Sequence, residues 1–518
     1  MTSPSKNDGV PFETELDELR KRTEHALAMG GPEKLAKRRA KGLLNARERL
    51  DVLLDAGSFI ESGMHARSFR KEVAERTPAD GKVAGYGRVD GREVAVVSND
   101  FTVLGASSSA INGKKIRHIR EVATQRGLPI VFLGESAGAR LPDRMGAAGR
   151  AILGQDPAEY RRCRETPWVS ALLGDCYGSS TWYTCLSDFA VMRKGATMAV
   201  ASERVISLAI GQQVDAEELG GWRLHAETTG LIDAVADTDA EALALVRTFL
   251  GYLPGSHAAP APRRAATEGS EERTDRILEV MPAERSKVYD VREIIRCVVD
   301  CDSFFELKAR FGKSIATGLA RLDGRSVGII ANNPKFKGGA IDVDAMRKAT
   351  SFLVLCDSFN IPLIFLVDQP GFMIGAEGEK RWAPGRIMNW MNAVSLVTVP
   401  KISVILRKSY GQAYLNMGGG RNSDEVLCWP TADLGFVAPS VGVNIVHGLK
   451  REDDPERFDR LRQEIEQDSS AWALAALYEA HAVIDPRDTR SSLKRLLDVH
   501  CGRGVIGRHQ LANWPTSY

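Results

Sequence analysis

RVDGREVAVVSNDFTVLG, residues 88–105, and RLDGRSVGIIANNPKFKG, residues 321–338, are two versions of one segment. Seven of their eighteen positions are identical, and the offset is 233 residues. The same offset carries LPIVFLGESAG (128–138) onto IPLIFLVDQPG (361–371), and PWVSALLGDCYGSS (167–180) onto PKISVILRKSYGQA (400–413). Pro167 thereby meets Pro400, Tyr177 meets Tyr410, and Gly178 meets Gly411. Upstream, ARERLDVLLDAGSFIE (46–61) resembles VREIIRCVVDCDSFFE (291–306) at an offset of 245, which gives the first half about twelve extra residues near 62–87. Three segments on one offset indicate a duplicated domain.

Working outward, each copy alternates strand and helix. VAVVSND, PIVFLGE and WVSALLGD read as strands around the helical GKKIRHIREVATQRG; VGIIANN, PLIFLVD and KISVILR repeat the pattern around AMRKATSFLVLCDSFN. Unbroken Val/Ile/Leu runs joined by helices imply parallel strands covered on both faces, so the expected class is α/β. Between the copies, PGSHAAPAPRRAATEGSEERTD (254–275) is rich in Pro, Ala, Ser and charge and lacks apolar periodicity. The domains are therefore drawn as 1–255 and 276–518, with 256–275 as linker. Residues 1–10 are expected to lack order, and 12–41 to be helical with a break at Gly30-Gly31-Pro32.

Composition excludes several classes. The chain has 518 residues, 43% hydrophobic and 26% charged, with 69 Lys+Arg against 67 Asp+Glu. That balance gives no general attraction to nucleic acid or to anionic membranes, and there is no apolar run of membrane-spanning length. The N-terminus lacks an apolar core and carries Glu13, Glu15, Asp17 and Glu18, unlike a secretory or transit signal, so the expected location is the cytoplasm. The eight cysteines form no paired CxxC array and are expected as free thiols.

The chemistry is carried by glycines. Each copy has a strand that ends in an acid and a glycine turn, GESAGARLPD (134–143) and VDQPGFMIG (367–375). Each has a second strand ending in YGSS (177–180) or YGQA (410–413). Small residues at strand-to-helix turns free backbone N–H groups, and two such turns side by side can form an oxyanion hole. One such turn alone reads as a sharp bend; the matched placement in both copies favours the functional reading. No H-E-x-x-H or Walker A motif is present, and no histidine recurs at the repeat offset. The reaction is thus expected to rely on backbone donors and a cofactor brought from elsewhere.

NARERLDVLLDAGSFIE (45–61), DGREVAVVSNDFTVLG (90–105), ESAGAR (135–140), DAEELGG (215–221), SFNIPLIFLVDQPGF (358–372), RKSYGQAY (407–414), WPTADLGF (429–436) and VIDPRDTR (483–490) together resemble the carboxyltransferase (beta) subunit of biotin-dependent acyl-CoA carboxylases, of the propionyl-CoA carboxylase type. The resemblance implies two tandem crotonase-like domains. It implies transfer of CO2 from carboxybiotin to the α-carbon of an acyl-CoA through a thioester enolate. It assigns Ala137, Gly138 and Ala139 to the acyl carbonyl, and Gly411, Gln412 and Ala413 to the biotin ureido oxygen. Gly178, Ser179 and Leu415 would line the acyl side; Gly371, Phe372 and Tyr410 would shape the biotin side. Lys34, Arg38 and Lys114 are candidates for the CoA phosphates.

The family pattern is altered in places. SAGAR stands for the usual SGGAR, YGSS for AGGA, and Leu415 occupies a position where propionyl-preferring members carry an acid. The implied cofactor is biotin carried by a partner, with coenzyme A entering as part of the substrate and no metal in this subunit. The implied partners are a biotin carboxylase/biotin carboxyl carrier subunit and further copies of this chain in a homo-hexameric core. No nucleic acid or membrane partner is implied. A decarboxylase subunit using the same site in reverse, or a non-catalytic crotonase-like scaffold, remains open at this stage.

Overall fold

The continuous apolar runs fold as the central parallel strands of two eight-stranded sheets. The computed structural model describes residues 12–153, 160–502 and 506–515; the segment 1–10 lies outside them. The described residues divide into two compact units, one drawn from 1–161, 168–222 and 235–247, the other from 162–167, 223–234 and 248–518. The first sheet contains β1 (Ile60–Glu61), β2 (Lys82–Val89), β3 (Arg92–Asn99), β4 (Ile130–Ala137), β5 (Trp168–Tyr177), β6 (Phe189–Arg193), β7 (Thr197–Ala199) and β8 (Ala234–Ala236). The second contains β9 (Phe305–Leu307), β10 (Ile315–Leu322), β11 (Arg325–Asn332), β12 (Leu363–Gln369), β13 (Lys401–Tyr410), β14 (Glu425–Cys428), β15 (Asp433–Gly435) and β16 (Ala482–Val483). Their orders are β1-β2-β3-β4-β5-β6-β8, with β7 on β5, and β9-β10-β11-β12-β13-β14-β16, with β15 on β13.

The repeat holds at the level of register. Ala95 pairs with Ile130 and Gly328 with Leu363; Ala137 pairs with Tyr177, and Gln369 with Ser409 where Ser136 meets Cys176. Both β4–β5 and β12–β13 shift register just before these last pairs, between Gly134 and Ser136 and between Val367 and Gln369. The antiparallel edges place the extra twelve residues. Glu61 lies opposite Gly85 but Glu306 opposite Gly318, so the insertion falls between β1 and β2. The duplication also runs past the last segment legible in sequence. Phe189 on Val169 is matched by Glu425 on Ile402, and Ala199 on Tyr177 by Gly435 on Tyr410, with the outer strand now 236 residues on.

Burial explains why these runs are strands rather than helices. Every residue of β12 is buried, and every residue of β4 up to Ser136. Each fully buried Val, Leu or Ile contributes about 1.5–3 kcal/mol. In the first unit Phe132 stacks on Tyr183 at 4.8 Å and meets the edge of Trp168 at 5.7 Å. In the second, Ile364, Leu366, Ile402, Val404 and Trp429 pack under Ile294, Ile295 and Val298 of the helix Val291–Val298. The helix Ala110–Arg126 starts at a Ser109–Asn112 capping box and stops at Gly127 (φ 69°). Its counterpart, Val343–Ser358, starts where Asp342 accepts from the Ala345 N–H at 2.8 Å.

Each of these two helices buries a lysine, and the two lysines are 233 residues apart. Lys115 Nζ donates to the carbonyls of Gly63, Ala79 and Lys82; Lys348 Nζ donates to those of Phe311 and Ile315. Burial pulls their pKa values down, to about 8 and about 7. The helix Glu13–Leu27 and the helix Pro32–Ala40 sit either side of the expected break. Among the described residues no helix is long and apolar enough to cross a membrane. The eight cysteines are free thiols.

Candidate active site

In the first unit β4 ends at Ala137, and the chain turns through Gly138 at φ 95°. The turn is tied to the neighbouring segment on both sides: Ser108 N–H donates to the Gly138 carbonyl at 2.8 Å, and Arg140 N–H donates to the Ser108 carbonyl at 2.9 Å. This bridge leaves the intervening Ala139 N–H with no acceptor among the described residues, at an exposed position. The Gly138 N–H is engaged, donating to Ser136 Oγ at 3.1 Å. Next door β5 ends at Tyr177, and Gly178 (φ 64°, ψ −119°) turns the chain into the helix Ser179–Leu186. No side chain caps that helix, so the Ser179 and Ser180 N–H groups project from its start. The two turns touch. A Cβ at Gly178 would lie 3.6 Å from Gly138 Cα, and Ser108 Oγ is 2.6 Å from Ser179 Oγ.

The second unit repeats this arrangement. Gly371 (φ 122°) follows β12; Ile341 N–H donates to the Gly371 carbonyl at 3.1 Å, and Met373 N–H to the Ile341 carbonyl at 2.8 Å. Phe372 N–H is left open, like that of Ala139. After β13, Gly411 (φ 63°) donates its N–H to the Gly435 carbonyl at 2.9 Å. Gln412 and Ala413 begin an uncapped single turn of helix with their N–H groups open. Tyr177 and Tyr410 anchor the ends of β5 and β13: Tyr177 donates to Glu203 at 2.9 Å, and Tyr410 to Asp433 at 2.6 Å. Burial first, and then these carboxylates, push both phenols well above their usual pKa, so both remain donors at working pH.

A neutralised acid lies beneath each turn. Glu135, 3% exposed, accepts from Arg38 at 2.7 and 2.9 Å and from Arg49 at 2.7 Å; Arg49 also holds Asp239 at 3.0 Å. Burial opposes the Arg49 charge, but Glu135 and Asp239 outweigh it and raise its pKa. Asp368 accepts from Arg407 at 2.8 Å and from the Tyr289 hydroxyl at 3.0 Å.

The structure thus brings Ala137, Gly138 and Ala139 together with Gly178 and Ser179, and Gly371 and Phe372 together with Tyr410, Gly411, Gln412 and Ala413. Leu415 follows in the same helical turn and is half-buried against Gly420. The three basic candidates differ from one another. Lys114 is exposed on the helix Ala110–Arg126. Lys34 is exposed, with Nζ 2.9 Å from the Thr102 carbonyl. Arg38 points inward to Glu135 and the Leu44 carbonyl. Sequence reasoning passes over Ser108, Ser136 and Ser180, which shape the first site. Their signal is present in the ASSSA run (106–110), a stretch of small hydroxyl residues where the second copy has GAIDV (339–343).

Comparison with known proteins bears on the same features. A model of the carboxyl transferase domain matches residues 37–503. The carboxyltransferase subunit of propionyl-CoA carboxylase from Haloferax mediterranei is 36% identical over 497 residues, 93% of this chain and 95% of that protein. The biotin-dependent acetyl-/propionyl-coenzyme A carboxylase beta5 subunit of Mycobacterium tuberculosis is 36% identical over 499 residues, 92% of this chain and 90% of that one. A transcarboxylase 12S crystal structure, a hexamer with methylmalonyl-coenzyme A and methylmalonic acid bound, matches with a TM-score of 0.88 at 32% identity, covering 95% and 96% of the two chains. The paired sheets are the duplicated crotonase-like α/β fold expected from the sequence.

Proposed function

Because the chain belongs to the carboxyl transferase family, as a carboxyltransferase subunit of the biotin-dependent acyl-CoA carboxylase and transcarboxylase type, we propose that its two glycine-turn sites are the oxyanion holes for an acyl-CoA thioester and for biotin. The observation that supports this is the recurrence of open main-chain N–H groups at matched positions: Ala139, Ser179 and Ser180 in the first repeat, Phe372, Gln412 and Ala413 in the second.

The first repeat takes the acyl-CoA. Removing the α-proton moves charge onto the thioester oxygen, and the Ala139 N–H with the N–H groups of Ser179 and Ser180 stabilises that charge. One such donor is worth about 3 kcal/mol in a water-poor site. The bridge to Ser108 and the contact of Gly138 with Gly178 hold the donors before substrate arrives, so little reorganisation is needed. Ala137 and Gly178 flank the turn. Lys34 and Lys114 supply surface cations for the CoA phosphates, while Arg38 works from within by neutralising Glu135 under the turn.

The second repeat suits the biotin ureido group. Gln412 and Ala413 offer neutral N–H donors for a carbonyl-type oxygen, with Gly371, Phe372, Tyr410 and Gly411 setting the turn. When bound, carboxybiotin supplies the CO2 and a basic ureido nitrogen. The biotin belongs to a separate biotin carboxylase/biotin carboxyl carrier subunit. Leu415 presents an apolar wall to the acyl group, which favours an apolar acyl-CoA.

Assembly into a hexamer, as in the transcarboxylase 12S structure, is part of this reading. Each repeat exposes an apolar helix at a matched place: Val205, Leu208 and Ile210 on Glu203–Ile210, and Val441, Ile445 and Val446 on Pro439–His447.

The test combines the protein with a biotin carboxylase/carrier subunit, ATP, bicarbonate and a panel of acyl-CoAs. Carboxylated acyl-CoA formed only in the presence of all components is the expected result. Its absence across the panel, with the carrier fully carboxylated, would reject the proposal.

A further inference from the structure

Lys82 is the first residue of β2, and its side chain is 1% exposed. Among the described residues its Nζ has one hydrogen-bond acceptor, the Ala106 carbonyl at 2.8 Å. That carbonyl also accepts from Ser136 Oγ at 3.2 Å, and Ser136 Oγ accepts from the Gly138 N–H at 3.1 Å. A continuous chain therefore runs from the ammonium to the turn that carries Ala139.

The middle link is strained. Leu104, Gly105 and Ala106 have φ angles of 47°, 62° and 47°, three left-handed residues in a row, two of them with side chains. Each non-glycine member costs about 1 kcal/mol or more and persists only where its surroundings hold it. The two side-chain donors to the Ala106 carbonyl are such a hold, and a charged donor is the stronger kind. The second repeat keeps the left-handed run, at Lys337, Gly338 and Gly339, but has two glycines in it and no buried lysine to hold it. Ile315 stands at the position of Lys82, and Gln369, at the position of Ser136, donates instead to the Tyr410 carbonyl at 3.3 Å. Lys82 also lines a cavity of about 10 Å3 with Asn99, Ser179, Ser180 and Thr184, directly behind the start of the helix Ser179–Leu186.

We propose that Lys82 is a positioning residue for the acyl side of the reaction: its ammonium fixes the Ala106 carbonyl and, through Ser136, keeps the Gly138–Ala139 turn aimed at the developing oxyanion. This rests on the reading of the first repeat as the acyl-CoA site.

The groups facing Lys82 come from four elements: Asp80 before β2, Lys115 on the helix Ala110–Arg126, Arg140 after β4, and Cys176 on β5. Burial is the largest influence and lowers its pKa; Asp80 and Cys176 oppose that, while Arg140 and Lys115 add to it, leaving a value of about 7. As pH rises past that point the ammonium becomes a neutral amine, a weaker donor, and the turn loses its strongest tether.

The experiment first establishes wild-type carboxylation with the biotinylated partner, so failure of the functional reading is seen separately as no product at all. Steady-state rates for wild type, Lys82→Met and Ser136→Ala are then compared between pH 6 and 9, with thermal melts of each. In Lys82→Met, kcat is expected to fall about 10- to 100-fold with KM for acyl-CoA within about twofold, the size of effect seen when an oxyanion donor is displaced. Wild-type kcat carries a decline centred near pH 7 that the methionine variant lacks. Ser136→Ala keeps the lysine but cuts the chain, so it loses rate and the same pH step; it decides the matter if Lys82→Met does not fold. A folded Lys82→Met with wild-type kcat and pH profile, or a Ser136→Ala with both unchanged, would overturn the proposal.

Discussion

Glu135 and Asp368 occupy the same place in the two repeats and are neutralised from opposite directions. Glu135 is met by Arg38 and Arg49, which arrive from helices preceding the first sheet. Asp368 is met by Arg407 from the adjoining strand β13 and by Tyr289. The position of Arg407 in the first repeat is Gly174, where a Cβ would sit 2.5 Å from Glu135 Oε1. The longer acid faces a glycine and takes its cations from afar; the shorter acid faces an arginine. What the duplication keeps is a backbone turn over a paired carboxylate, while the residues that pair it are exchanged. A buried charge without a partner is strongly destabilising, so either solution is retained as a set.

That contrast can be broken most severely at its acids. Glu135→Leu leaves Arg38 buried without its acid and Arg49 with Asp239 alone, and should cost about 3–5 kcal/mol in urea melts. Asp368→Leu strands one buried cation, Arg407, while Lys408, whose Nζ lies 3.5 Å from the carboxylate, is partly exposed and can turn to solvent, so it should cost less. Equal losses would mean that the two networks are equivalent despite their different make-up.

The matched lysines sharpen the comparison by pH. Lys348 titrates at about 7 in the folded chain but near 10.4 when unfolded. Between those values the unfolded state holds the extra proton, so stability should rise with pH by at most about 1.4 kcal/mol per unit from this group. Lys348→Met should lose that slope. For Lys115 the rise begins nearer pH 8. A wild-type stability that is flat from pH 7 to 9, measured by chemical denaturation, would contradict this.

The glycine turns should respond to a lesser degree and unequally. Gly411→Ala and Gly178→Ala share a left-handed penalty of about 1 kcal/mol. The new methyl group at 411 would also lie 3.3 Å from the Phe436 carbonyl, against 3.6 Å from Gly138 Cα at 178. The 411 variant should therefore melt lower. The smallest effect is expected at Leu415: Leu415→Asp should shift relative rates across an acyl-CoA panel by about tenfold without changing the melting temperature by more than a few degrees. Unchanged relative rates would remove Leu415 from the acyl pocket.

Much of the molecule is legible in the chain alone, because hydrophobic runs and glycine turns are local signals. The 233-residue offset finds β3 to β5 and their counterparts together with both turns, and its difference from the upstream offset of 245 implies the insertion that falls between β1 and β2. It stops at Ser180 because β6 and β14, though matched in register, share almost no side chains; their backbones pair through main-chain groups that any residue supplies. Basic character is also visible in sequence, but its destination is not. Lys114 and Lys115 are adjacent letters, yet one faces solvent and the other clamps three carbonyls, because helical rotation turns neighbours to different faces. Arg38 reads as a surface cation until Glu135, 97 residues away, is brought beneath it. The sequence alone determined the duplicated α/β architecture and the turns that free backbone donors. Only the tertiary structure decided which charges are buried, which acid each arginine serves, and which N–H groups remain open, since those depend on contacts between segments distant along the chain.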